Sequence, residues 1–206
     1  MILAQAGFQT ASTISLWTIL FSAALTDNIL LTRFLGMCSF LAVSRQMKAA
    51  AGLGLAVTFV TACTCGLNAA LYWYVLKPLN LHLSLHLIVF IVIIAAFVQL
   101  LEMIIERVSQ GLYYSLGIFL PLITANCAIL GAALFMINLK YSVLEGLVFG
   151  LGAGAGWMLA IVLMAGIREK LKDSWIPAGL QGPGISLITT GIMALAFSCF
   201  SGMIQQ

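Results

Sequence analysis

The sequence predicts an all-α integral membrane protein: six transmembrane helices in two inverted three-helix repeats, with helices one and four broken. Composition is the first reason. The 206 residues are 63% hydrophobic and 7% charged, against roughly 25% charged residues in soluble domains, so too few polar groups exist to cover a water-soluble surface. Length is the second: the apolar stretches reach about 20 residues, enough for a helix rising 1.5 Å per residue to cross the hydrocarbon core. They lack the short alternation of barrel strands. The third is a pair of interruptions, Phe34-Leu35-Gly36-Met37-Cys38 and Leu120-Pro121-Leu122-Ile123-Thr124-Ala125-Asn126-Cys127, each ending in a cysteine. A break in a spanning helix frees backbone groups where no water can satisfy them, so breaks are kept where protein covers them or where they line a site.

One membrane domain over residues 1–206 is expected, with no soluble domain. Its apolar stretches occupy about 13–43, 49–76, 84–105, 112–138, 142–167 and 185–203. The first is too long for one straight crossing and carries Asp27 and Arg33 ahead of Gly36, so it reads as a broken or re-entrant helix. Those two charges flank the break and could pair or line a cavity; they are six apart and off a common helical face, and a structural role suits them. Near the end of the second, Tyr72, Trp73 and Tyr74 fit an interfacial aromatic belt. The third carries Glu102 and Glu106 one turn apart, with Gln99 a turn earlier; Glu106 lies beside Arg107 near the interface. The fourth breaks at Pro121. The fifth holds Gly150, Gly152, Gly154 and Gly156, which with no preceding strand suit close helix packing rather than a nucleotide loop.

Basic residues gather on the cytoplasmic side of a membrane protein. Connections one, three and five hold Arg45, Lys48, Arg107, Arg168, Lys170 and Lys172, while two and four hold only Lys77 and Lys140. Both termini are therefore expected to face outward. Met1 to Ser12 contains no basic residue to make a signal n-region, so the first segment is expected to be retained. The run Arg168 to Asp173 reads as an inward anchor. His82 and His86 have helical metal spacing but lack the glutamate that a zinc hydrolase motif needs, and no nucleophile–base pattern of a hydrolase occurs.

Three crossings per repeat force the second repeat, about 112–203, to run upside down relative to the first, about 13–105. The breaks then fall at equivalent places, and such inverted repeats hold their site near mid-bilayer. Cys38 and Cys127 are the residues at those places. Thiolates are soft ligands for iron–sulfur clusters, zinc and Cu(I), and a cluster asks for four. A cluster here would need a second, similar chain to supply two more. Free cysteine is also a common buried small hydrophobe, the reading preferred for Cys63, Cys65 and Cys199. A secondary transporter binding a small solute at the breaks, with the cysteines as bystanders, and a scaffold protein both stay open on the residues alone.

Three runs carry a family resemblance: Phe34-Leu35-Gly36-Met37-Cys38, Leu116-Gly117-Ile118-Phe119-Leu120-Pro121-Leu122-Ile123-Thr124 through Asn126-Cys127-Ala128, and Ala165-Gly166-Ile167-Arg168-Glu169-Lys170. Long and in the same order, they resemble the family shared by the D and E subunits of the Na+-translocating NADH:quinone oxidoreductase and the A and E subunits of the Rnf complex. Phe40 to Ser44, Gly156 to Val162 and Gly179 to Ser186 look like the quinone oxidoreductase branch. The short connection Lys77-Pro78-Leu79-Asn80-Leu81 looks more like the A subunit of Rnf, a ferredoxin:NAD+ oxidoreductase that also moves ions.

The resemblance implies a bacterial inner-membrane subunit of a redox-driven sodium pump that passes electrons from NADH towards ubiquinone. It implies a homologous six-helix partner, with Cys38 and Cys127 giving two of the four iron ligands of a shared intramembrane [2Fe-2S] cluster. Flavins and NADH would sit on other subunits, and this chain would hold no complete active site. Glu102 matches a family position considered for sodium uptake, which makes it the ion-pathway residue expected here.

Overall fold

The computed structural model describes residues 16–77, 85–108, 123, 126–171 and 182–201. These residues form helices and turns, with no strand among them. In chain order the helices are α1 (Leu16–Phe21), α2 (Met37–Val43), α3 (Met47–Leu71), α4 (Leu85–Val108), α5 (Cys127–Asn138), α6 (Val143–Leu171) and α7 (Pro183–Ser201). A π-helical turn extends α1 over Ser22–Thr26, and another extends α3 over Tyr72–Leu76. Among the described residues three stretches are long and apolar enough to cross a membrane: Met47–Leu76, Leu87–Ile104 and Val143–Leu171. Leu16–Thr26, Cys127–Asn138 and Pro183–Cys199 are shorter apolar helices. Pro121, the second predicted break point, and His82 lie outside the described residues.

The centre of the fold is the antiparallel pair α3 and α6, held close by glycines. A Cβ at Gly54 would meet Met158 Cγ at 2.6 Å, one at Gly154 would meet Thr58 Cα at 2.6 Å, and one at Gly150 would meet Thr61 O at 2.7 Å. As the residue number falls along α6 it rises along α3. Small residues at such faces let backbones approach, and without a hydrophobic drive between helices in lipid it is this packing that holds them together. The other face of α6 receives α1 in the same way: a Cβ at Gly152 would lie 2.7 Å from Leu20 O, and one at Gly156 would lie 2.5 Å from Ala24 O. Here the numbers rise together, so α1 runs parallel to α6. The glycine run thus serves two neighbours, with Gly150 and Gly154 turned to α3 and Gly152 and Gly156 to α1.

Helix α4 lies at the periphery. Of its apolar window 17% is buried, against 50% and 56% in the other two long stretches. One stripe points inward, where Phe90, Ile94 and Val98 are buried at four-residue spacing. Trp73 ties the end of the α3 stretch to the α5–α6 turn, its Nε1–H donating to Tyr141 O at 2.9 Å, and Lys77 Nζ sits 3.9 Å from the Trp73 ring centroid. In that turn burial, aided by the charges of Glu145 and then Asp27, pushes the Tyr141 hydroxyl up to about 12.

Candidate functional site at two helix starts

The first interruption is longer than Gly36 alone. Helical structure stops at Thr26 and resumes at Met37, and the chain between makes turns, with Phe34 at φ 55° and Gly36 at φ 80°. Asn28, fully buried, supplies the hydrogen bonds that the broken helix lacks. Its Nδ2 donates to Ala24 O at 3.2 Å and to Gly156 O at 2.8 Å, and its Oδ1 accepts from the Leu30 and Leu31 amides at 3.1 and 3.4 Å. A buried backbone group left unpaired costs about 1–3 kcal/mol, so one amide side chain, pairing two amides and a carbonyl of the interruption, offsets part of the penalty of the break and ties it to α6. Sequence reasoning does not single out Asn28. A polar residue beside Asp27 inside an apolar stretch is the signal that could have found it.

Asp27 and Arg33 meet because the interruption turns the chain back on itself. Arg33 Nη2 lies 3.2 Å from Asp27 Oδ2, Arg33 Nε donates to Oδ1 at 3.3 Å, and the guanidinium stands 4.5 Å from the Phe135 ring centroid. The structural role expected for them takes the form of an ion pair.

The second helix start is built by Asn126. In extended conformation ahead of α5, it accepts the Ala128 amide on Oδ1 at 3.0 Å, the bond by which an N-cap satisfies one of the first free amides of a helix. Cys127 is then the first residue of α5 and Cys38 the second of α2.

These two starts come together. A Cβ at Gly36 would lie 2.8 Å from Asn126 Oδ1, 3.1 Å from Ala128 Cβ and 2.7 Å from Trp157 Nε1. Trp157 is the middle residue of the 29-residue α6, so the meeting point lies half-way along the spanning helix. From there α2 runs towards the Arg168 end, where Arg168 Nη1 donates to Leu41 O at 3.0 Å and Nη2 donates to Ser186 Oγ on α7. Arg168, expected as an anchor, also binds a last-turn carbonyl of α2. Helix α5 runs the other way, towards the α5–α6 turn. Gly36 and Asn126 are buried, whereas Cys38 and Cys127 are both exposed on this chain.

The donor set suits an anionic, thiolate-ligated group. Two free thiols flank the junction at the surface, and the positive end of α5 favours negative charge there by about 0.3–1 kcal/mol. Two buried donors of junction residues, Asn126 Nδ2 and Trp157 Nε1, have no acceptor among the described residues. Among the described residues no group of three or more His, Cys, Asp or Glu is placed to hold a metal ion, so the remaining ligands of such a group would have to come from outside them.

The other expected residues are placed apart from the junction. Cys63 is half-buried and Cys65 buried in α3, and Cys199 is exposed on α7. Glu102 follows Val98 by four residues and so continues the inward stripe of α4; it is half-buried, while Glu106 is exposed. No hydrogen bond or ion pair to Glu102 is found among the described residues.

Long apolar helices around a glycine-packed antiparallel pair, with two shorter helices starting at mid-span, define a helical multi-pass membrane protein. Residues 16–204 match the family described as "Rnf-Nqr subunit, membrane protein", and the chain belongs to that family. It is 52% identical over 191 residues to the E subunit of the Na(+)-translocating NADH-quinone reductase of Aeromonas hydrophila, covering 90% of this chain and 96% of the relative. With the protein of the same name from Hahella chejuensis it shares 49% over 195 residues, covering 90% and 96%. With that from Psychromonas ingrahamii it shares 49% over 186 residues, covering 86% and 92%. The expected family is thereby shown, and the quinone-reductase branch of the resemblance is the one these relatives carry.

Proposed function

We propose that this chain is a membrane subunit of a sodium-translocating NADH:quinone oxidoreductase in a bacterial inner membrane, with both termini outward. In this reading Cys38 and Cys127 hold one half of an intramembrane [2Fe-2S] cluster, and a homologous six-helix partner holds the other half. The observation that carries it is the meeting of two cysteine-bearing helix starts at Gly36, half-way along α6, with both thiols exposed. Two ligands from one face of each protein complete a four-thiolate set. The antiparallel α3–α6 pair is what two inverted three-helix repeats would place at their common axis.

A [2Fe-2S] cluster, when bound, supplies a one-electron carrier inside the membrane, between flavins and NADH on other subunits. This chain's residues do the rest. Cys38 and Cys127 ligate; Asn126 fixes the start of α5 and hence Cys127; Asn28 and Gly36 fix the turn that delivers Cys38; Arg168 holds the far end of α2. Iron content and electron paramagnetic resonance of the reduced, purified complex test the reading. Cys38→Ser and Cys127→Ser are each expected to abolish a [2Fe-2S] signal while the chain stays assembled in the complex. A native-strength signal in either variant would return that cysteine to packing and overturn the reading.

Glu102 is the residue proposed for the ion path, because its carboxylate stands on the core-facing stripe of α4 with no partner among the described residues. Ionisable groups so placed are costly and tend to mark pathways. Glu102→Gln removes the charge at nearly constant volume. Loss of a charged contact of roughly 1.4 kcal/mol corresponds to an apparent sodium requirement raised about tenfold, with NADH oxidation by an artificial acceptor unchanged. An unaltered sodium dependence of quinone reduction would take Glu102 out of the path.

A further inference from the structure

The Asp27–Arg33 ion pair stands on a face that does not suit lipid. The Arg33 and Asp27 side chains are 44% and 49% exposed on this chain, yet both lie at depths inside the span. Asn28, the neighbour of Asp27, donates to Gly156 O at 2.8 Å, next to the middle residue of α6. The Arg33 guanidinium is 4.5 Å from the Phe135 ring centroid, and residues 126 to 135 of the α5 segment rise no more than about 13 Å. Half of a hydrocarbon core is about 15 Å, so the pair is held within it. Charged side chains at such depth face protein or a water-filled cavity, because hydrocarbon offers them no hydrogen bonds. Asp27 satisfies only part of Arg33. Its carboxylate accepts one N–H from Nε and one from Nη2, and of the five donors on a guanidinium three have no acceptor among the described residues. Next in the chain is Phe34, 54% exposed with its backbone in the left-handed region at φ 55°, where a bulky L-residue stays only if its surroundings hold it there.

We propose that a neighbouring membrane subunit covers the face formed by Asp27, Arg33 and Phe34, directing an oxygen acceptor, a carboxylate or a helix-end carbonyl, at the remaining N–H groups of Arg33 and packing apolar side chains around Phe34. The proposal rests on the reading of this chain as one subunit of a membrane complex and names a surface by which it is held there. Charge is the first ground for protein over lipid. Acyl chains carry no acceptor for a guanidinium, whereas a second chain can supply one. Rigidity is the second. The turn is pinned to α5 on both sides of Phe34, by Arg33 over Phe135 and by Leu35, whose Cδ1 would lie 2.6 Å from a Cβ on Gly131. Phe34 is thus presented outward on a fixed mounting, as suits an aromatic anchor at an interface. A water-filled crevice would also solvate Arg33, but the pair stands on the outside of this chain, so the far wall of such a crevice would itself have to be another protein.

The test uses the complex in its own membrane, with photoreactive p-benzoyl-phenylalanine in place of Phe34, which keeps an aromatic side chain at that position. Irradiation is expected to join this chain to a second membrane subunit, identified by mass spectrometry of the adduct. A second measurement removes both charges at nearly constant shape, in Asp27→Asn combined with Arg33→Gln. Retention of neighbouring membrane subunits through detergent purification is expected to fall roughly tenfold, the size of one charge-assisted hydrogen bond. A face turned to lipid predicts the opposite sign, because neutral side chains suit hydrocarbon better than an ion pair; retention would then be native and the thermal midpoint raised.

Adducts with lipid alone, adducts confined to this chain, or no adduct would overturn the proposal, as would native retention in the double variant. The cross-linking result leaves both charges in place, so it decides the matter even if the double variant fails to fold. Failure of the underlying reading looks different: there the native chain, with no substitution, purifies without any second membrane subunit.

Discussion

Gly36→Ala is expected to cost about 2–5 kcal/mol and to prevent stable assembly. Two independent penalties add. An L-residue in the left-handed region that Gly36 occupies, φ 80°, pays about 1–2 kcal/mol. Its Cβ would then lie 2.7 Å from Trp157 Nε1, 2.8 Å from Asn126 Oδ1 and 3.1 Å from Ala128 Cβ, and forcing a group into a packed site costs about 1–3 kcal/mol. None of the three neighbours is the free end of a flexible chain: one is the rim of a buried indole, one caps a helix, one is a methyl on that helix. Thermal unfolding and yield in detergent check this against Gly191→Ala on α7, where nothing among the described residues lies within 4 Å of the added carbon. There the substitution is expected to be neutral or stabilising by up to about 1 kcal/mol. Equal behaviour of the two variants would mean that the helix starts do not approach as closely as described.

That prediction depends on contacts the sequence shows only in part. The membrane class was legible because scarcity of charge is a global property. Gly36 was recognisable as a break, but not that the interruption runs back to Asp27, since no glycine or proline marks its start and Asn28, Thr32 and Arg33 stand among Ile29, Leu30, Leu31, Phe34 and Leu35. Pairing of Asp27 with Arg33 was one of two options the sequence left open, and the structure shows the pair. On an uninterrupted helix a six-residue separation points the two side chains apart, and only the turn brings them together. Asn28 and Trp157 act through partners far off in the chain, Asn28 on Gly156 O and Trp157 beside Gly36. An isolated asparagine or tryptophan in an apolar run carries no local sign of that. Asn126 stood inside the motif at the second break, yet its use as the cap of α5, oxygen to the Ala128 amide, follows from geometry alone.

The glycines of α6 were expected to pack a helix, and their division between two neighbours gives the second large effect. Gly154→Val is expected to cost about 3 kcal/mol, because its Cβ would lie 2.6 Å from Thr58 Cα, and backbone cannot move aside as a side chain can; a branched side chain adds to the overpacking. The helices would have to separate, losing close contact along their length where lipid offers no hydrophobic penalty to restore it. Gly166→Val in the same helix is the matched control, since the only near neighbour among the described residues is Met47 Cε at 3.5 Å, the end of a flexible chain. It pays the same change in helix propensity without the clash. Thermal midpoints in detergent should therefore fall steeply for Gly154→Val and little for Gly166→Val. Similar midpoints would show that α3 and α6 are not held at backbone contact, and the junction that α6 carries at its centre would lose its fixed support.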